Sequence, residues 1–185
     1  MSFSICGCLL LFSGHASGVT LHMFHQRKHI RLRNFDYSSS NAYFITVCVK
    51  YFEPLLGSIK NGICGLTDVG NETALYLQKI PEIRAGVILD EFIVMPNHLH
   101  CLLILPHHSR LYSGNGFGKP VTGSVSVIIN QFKGAVTKWC KLNSCYFDWQ
   151  DRFHDHVVRN EQEYWTVKNY IIKNPGNWKD DCFFS

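Results

Sequence analysis

Residues 95–105 read MPNHLHCLLIL, and the fold of the chain follows from how this run is read. In a strand, alternate side chains point to the same face. From residue 98 to 105 one face carries Leu99, Cys101, Leu103 and Leu105, and the other carries His98, His100, Leu102 and Ile104. Apolar residues on both faces mark a strand covered on both sides, at the centre of a sheet. His98 and His100 then leave the backbone side by side at its mouth. Pro96 and Asn97 form a short turn into this strand from IRAGVILDEFIVM (residues 83–95), which reads as the strand before it.

Upstream, AYFITVCVK (42–50) alternates and is rich in aromatic and β-branched residues, a further strand. A Gly-containing connection leads to LTDVGNETALYLQKI, where Thr67 is the expected N-cap of a helix with Val69, Thr73, Leu77 and Ile80 at helical spacing, limited by Pro81. Downstream of a polar, Gly-rich loop (107–120), VSVIINQFKGAVTKWCK places Val125, Ile128, Ile129, Phe132, Val136 and Trp139 on one helical stripe. Lys133, Thr137, Lys138 and Lys141 fall on its other face. RFHDHVVRN (152–160) is the last strand, and EQEYWTVKNYIIKN (161–174) is a helix stopped by Pro175 and Gly176. The order βαββαβ plus a C-terminal helix predicts a ferredoxin-like α+β fold, an antiparallel sheet with two helices on one face. The extra helix is left to cover the other.

The 185 residues suit one domain, expected over residues 23–185, and a composition 46% hydrophobic and 17% charged is that of a globular chain. Residues 1–22 differ. Their apolar core, residues 5–12, is too short to span a bilayer and follows no lysine or arginine of a signal peptide, so an unstructured extension is expected, with Met23 an alternative start. The eight cysteines form no CxxC pair, and Cys48, Cys101 and Cys140 sit in apolar periodic segments. A reducing cytoplasm is expected, without membrane attachment. The net charge of +4 is modest, but basic residues cluster at Arg27, Lys28, Arg31 and Arg33 and again on the helix bearing Lys133 and Lys138. Such clusters suit a polyanion, or a solvated basic face.

Neutral imidazoles close together on one strand face can converge on a divalent metal. Tyr170 and Asn174 stand four apart and project from one face of the C-terminal helix. If that helix lies over the open sheet face, a phenol and an amide oxygen meet the two histidines. The plainer alternatives are a polar pair at a strand end and a core tyrosine beside a helix-ending Asn-Pro. A second His-x-His, His154-Asp155-His156, shows that the bare pattern is not specific.

MPNHLHCLLIL followed by NYIIKNPGNW resembles the REP-associated tyrosine transposases, a branch of the HUH single-tyrosine transposases similar to IS200 elements. IRLRNFDYSSSNAYFITVCV, QFKGAVTKW and WQDRFHDHVVRN resemble that family too, in the same order. The resemblance implies a prokaryotic, nucleoid-associated enzyme, monomer or homodimer, that cuts single-stranded DNA next to palindromic hairpins and transfers the strand. It further implies that His98, His100 and Asn174 hold Mg²⁺ or Mn²⁺, that Tyr170 is the nucleophile, and that the NPGNWKDD tail is structural. Arg27, Lys28, Arg31, Arg33, Lys133 and Lys138 are the expected DNA contacts. Two other readings stand beside it: a catalytically lapsed nucleic-acid-binding protein on the same fold, and a structural zinc site using His98, His100 and Cys101 or the His154/His156 pair.

Overall fold

The structure, a computed structural model, describes residues 42–105 and 123–184. The expectations for residues 1–22, for Arg27, Lys28, Arg31 and Arg33, and for the loop 107–120 lie outside those residues. In chain order the elements are β1 (Ala42–Cys48), β2 (Gly57–Lys60), β3 (Ile63–Leu66), α1 (Asp68–Gln78), α2 (Ile80–Ile83), β4 (Ile88–Val94), β5 (His98–Ile104), α3 (Val125–Leu142), β6 (His154–Val158) and α4 (Glu161–Lys173). A 3-10 helix over Asn174–Asp180 continues from α4. Strands β4-β5-β1-β6 form one antiparallel sheet in that order, the ferredoxin-like arrangement expected. The doubly apolar run at 98–104 is indeed internal, paired with β1 on one side and β4 on the other.

The two faces of the sheet have different covers. Tyr43, Ile45 and Val47 of β1 and Leu99, Cys101 and Leu103 of β5 pack with Val69 and Leu77 of α1 and Ile128, Ile129, Phe132 and Val136 of α3. The periodic stripe of α3 is therefore core, and Leu99→Ala would remove about 2–5 kcal/mol of stability. The opposite face carries Phe44, Leu102 and Val158, covered by Val167 and Ile171 of α4. Thr67 and Ser124 cap α1 and α3 by accepting from the backbone N–H of Gly70 and Val127. Asn160 caps α4 in the same way, accepting from Glu163 N.

Two expectations need correction. The strand predicted over residues 83–95 starts only at Ile88, because Ile80–Ile83 closes a short helix with Pro81 in its first turn. Proline lacks only a hydrogen bond that a first-turn residue would not make, so here it opens a helix as well as ending one. The Gly-containing connection after β1 holds a β-hairpin, β2–β3, whose turn is Asn61-Gly62 with φ of 52° and 74°. Those two left-handed residues are what a two-residue hairpin turn demands. No helix among the described residues is long and apolar enough to cross a membrane.

Candidate active site and metal centre

The register of β5 against β1 sets Cys48 opposite His98 and Thr46 opposite His100, on the face that α4 covers. Both imidazoles are buried, with relative exposures of 0% and 1%. Their Nε2 atoms face each other at 3.0 Å. Each outer nitrogen has its own partner: His98 Nδ1 lies 2.8 Å from Asn97 Oδ1, and His100 Nδ1 lies 2.8 Å from Thr46 Oγ1. Asn97 donates through its Nδ2 to Phe183 O, which leaves its Oδ1 to accept from His98 Nδ1–H. The lone pair of His98 Nε2 then points at His100. Thr46 can donate to His100 Nδ1 or, with its hydroxyl turned, accept from it, so it supports either tautomer of that ring.

Burial holds both histidines neutral at physiological pH. His98 is pushed down to about 4 by burial, against the opposing charge of Asp181, and His100 falls well below the ordinary imidazole range through burial and the neighbouring His98. Neutral imidazole is the form that binds metal.

Helix α4 delivers the phenol. Tyr170 rests against the His100 ring with centroids 5.3 Å apart and edge-on to Phe44 at 5.9 Å. Its hydroxyl lies 3.4 Å from His100 Nε2 and donates over 3.4 Å to Asp181 Oδ2. Tyr164, earlier on the same helix, is committed elsewhere, donating to Asp90 Oδ2 at 2.6 Å beside Lys168. One turn past Tyr170, Asn174 is buried and donates through Nδ2 to Asp181 Oδ2 at 2.7 Å, while its Oδ1 is buried with no hydrogen-bond partner. His98, His100 and Asp181 offer ligand atoms within 4.8 Å of one another. Phe183 closes the cluster, its ring centroid 4.5 Å from that of His98.

The structure thus gathers four of the expected residues, His98, His100, Tyr170 and Asn174, and adds three that the sequence reading did not assign to the site: Thr46, Asn97 and Asp181. By sequence Asp181 belongs only to the tail expected to be structural. No local spacing could place it, because the 3-10 turn after α4 folds it back under Tyr170. Lys133 and Lys138 are elsewhere. They lie on α3, behind the opposite face, and line a cleft of about 510 Å³ with Lys141, Asp148 and Gln150. Lys133 is half-buried, donates to Gln150 O, and is shifted below the usual lysine range by burial.

The zinc constellations do not assemble. Cys101 points to the α3 face, away from the histidines, and burial pushes its thiol up to about 12. His154 and His156 are exposed, and His156 Nε2 is held 2.7 Å from Glu163 Oε1. Among the described residues, His98, His100 and Asp181 are the cluster able to hold a metal.

No family model matches the chain. An uncharacterised Haemophilus influenzae protein is 35% identical over 169 residues, covering 86% of this chain and 94% of that protein. A REP-associated tyrosine transposase of Escherichia coli is 28% identical over 87 residues, 47% of this chain and 43% of that protein. Among solved structures, a REP-associated tyrosine transposase bound to a REP hairpin superposes with a TM-score of 0.56 at 23% identity, over 80% of this chain and 74% of that one. The chain belongs to one family with the Haemophilus protein, and it is a relative of the REP-associated tyrosine transposases, similar to them in sequence and in fold.

Proposed function

We propose that the chain cuts and rejoins single-stranded DNA beside a hairpin, with Tyr170 as the nucleophile. The observation that carries this reading is the phenol hydroxyl 3.4 Å from His100 Nε2, next to two facing neutral imidazoles. A free phenol with a pKa near 10 is a weak nucleophile at neutral pH and needs help. Asp181, accepting from that hydroxyl, is placed to take its proton. The phenol oxygen bonds to phosphorus, the bond from phosphorus to the 3′ oxygen breaks, and the departing oxygen takes a proton from water. The products are a 5′-phosphotyrosine and a 3′ hydroxyl. Attack by a 3′ hydroxyl reverses the step without ATP, because the energy of the phosphodiester is kept in the tyrosyl link.

The residues fit a divalent ion. Two neutral imidazoles converge, the carboxylate of Asp181 is in reach, and the orphaned Oδ1 of Asn174 is a buried polar atom awaiting a partner. His98 and His100 would hold Mg²⁺ or Mn²⁺, with Asn174 or Asp181 as the third ligand. When bound, the metal polarises the scissile phosphate and stabilises charge on the 3′ oxygen. Thr46 and Asn97 orient the rings. The donor set favours Mn²⁺, which accepts imidazole more readily than Mg²⁺ does. The basic N-terminal residues and the α3 lysines supply phosphate contacts that position the DNA.

The test is to incubate the full chain with a labelled hairpin oligonucleotide bearing single-stranded flanks, with Mn²⁺, Mg²⁺ or chelator, and resolve the products under denaturing conditions. Wild type gives a covalent adduct that requires metal, whereas Tyr170→Phe binds the hairpin and gives none. An adduct surviving in Tyr170→Phe would overturn the assignment. One observation favours a second reading, a binding protein that has lost catalysis: His98 is wholly buried beside Phe183. Tight hairpin binding by wild type with no adduct under any metal would establish that reading instead.

A further inference from the structure

Just beyond β1 the backbone takes an uncommon path. Tyr51 and Phe52 both have positive φ, 57° and 56°, a region that side chains with a Cβ rarely occupy. The loop is firmly tied: Lys50 N donates to Asp148 O, Phe52 N to Val49 O and Glu53 N to Lys50 O, and Val49 bridges to Trp149. Strain that surrounding bonds enforce is a pointer to function. Its visible result is to separate two adjacent aromatic rings. Phe52 goes to Phe183, centroids 5.8 Å apart, and so reaches the cover of His98. Tyr51 is left 74% exposed.

Lys50 lies beside that ring, its Nζ 5.7 Å from the Tyr51 centroid, and is held by Asp148 Oδ2 at 2.6 Å. A second exposed tyrosine, Tyr146 at 73%, stands two residues before Asp148 in the chain. Asp148 also lines the lysine cleft of α3. Gln150, in that lining too, donates its N–H to Cys48 O, and Cys48 is the residue paired with His98. The cleft lining is therefore tied by backbone bonds to the end of β1 that pairs with His98, and Lys50 and Tyr51 follow directly from that end. Exposed aromatic rings near a cation, next to a cleft lined by three lysines and two aspartates, offer an unpaired strand faces for its bases and charge for its phosphates.

We propose that Tyr51, beside Lys50, and Tyr146, close in the chain to the Asp148 that holds Lys50, form a stacking platform for unpaired nucleotides, leading the single strand between the histidine site and the α3 lysine cleft. This rests on the single-stranded DNA reading above. The platform reads no base edge, so it tolerates sequence. It separates a hairpin with unpaired flanks from one without.

The experiment compares two oligonucleotides, a blunt hairpin and the same hairpin with thymidine flanks carrying 2-aminopurine. Wild type binds the flanked form more tightly and quenches the 2-aminopurine. Tyr51→Ala and Tyr146→Ala each weaken flanked-hairpin binding about tenfold and restore the fluorescence, leaving blunt-hairpin affinity unchanged, whereas Tyr51→Phe behaves as wild type. Tyr51→Gly, which removes ring and strain together, is more stable than wild type yet loses the quench. If wild type favours flanked DNA but neither Ala variant changes affinity or quenching, the platform is wrong and the DNA reading stands. Equal wild-type affinity for the two hairpins also overturns the platform. Failure of wild type to bind either hairpin overturns both.

Discussion

Two His-x-His pairs lie on the same face of the same sheet, and their fates differ. Thr46 is the cross-strand neighbour of both His100 on β5 and His154 on β6, so the register places both pairs on the face that α4 covers. Strand β5 is internal and β6 is an edge. At the centre, neighbours on both sides and the α4–tail segment above bury the imidazoles, force them neutral, and bring a phenol and a carboxylate within reach. At the edge, both rings are exposed, and a glutamate pairs with His156. The same sequence pattern makes a candidate metal centre in one place and a surface ion pair in the other, and position in the sheet is the difference.

The sharpest way to break the comparison is to remove each pair in turn. His98→Ala or His100→Ala should abolish metal-dependent cleavage, measured as adduct formation in Mn²⁺, while His154→Ala leaves cleavage intact and weakens DNA binding at most. Equal loss of metal binding from the two pairs would sink the distinction. The buried changes should also cost about 1–3 kcal/mol of stability by stranding Asn97 or Thr46, read as a lower denaturation midpoint. A solvated His154→Ala should stay within about 0.5 kcal/mol of wild type.

A finer test leaves the imidazoles in place. Thr46→Val keeps the shape of the side chain and removes the hydroxyl that orients His100. Metal affinity, followed by calorimetric Mn²⁺ titration, should fall about 10- to 100-fold, the usual effect of losing a group that aligns a ligand. An unchanged affinity would mean that packing against Phe44 and Tyr170 alone orients the ring.

The smallest effect separates the pairs by pH. The folded-state pKa values of His98 and His100 lie below that of a free imidazole, so the unfolded chain takes up more protons once pH falls below about 6.5. In metal-free buffer the contribution is complete above that pH and declines as pH falls towards about 4. The thermal midpoint should drop across that window in wild type and in His156→Ala alike. The exposed His156–Glu163 pair at the edge is worth about 0–1 kcal/mol. A drop that disappears in His156→Ala would reverse the roles of the two pairs.

What local periodicity can encode was legible in the chain. The doubly apolar run after Asn97, the stripe of α3 and the caps Thr67 and Ser124 needed only neighbours within a few residues, and so did the common face of Tyr170 and Asn174. The β2–β3 hairpin has a local signal as well, the Asn61-Gly62 turn, but its strands are only four residues each and too short to stand out from a Gly-containing connection. The short helix at Pro81 was hidden because proline closes one helix and opens another with the same geometry.

The sequence by itself determined which side chains share a face; the tertiary structure decided which of those faces meet. Thr46 reaches His100 across 54 residues and Tyr170 reaches it across 70, through a strand register and a helix docking that no spacing records. Asp181 is near Tyr170 in sequence, but only the 3-10 turn after α4 aims it back at the histidines. Burial is the last such decision. An imidazole has the same chemistry at His98 and at His156, and the sheet and its cover make the first a buried neutral base and leave the second in water.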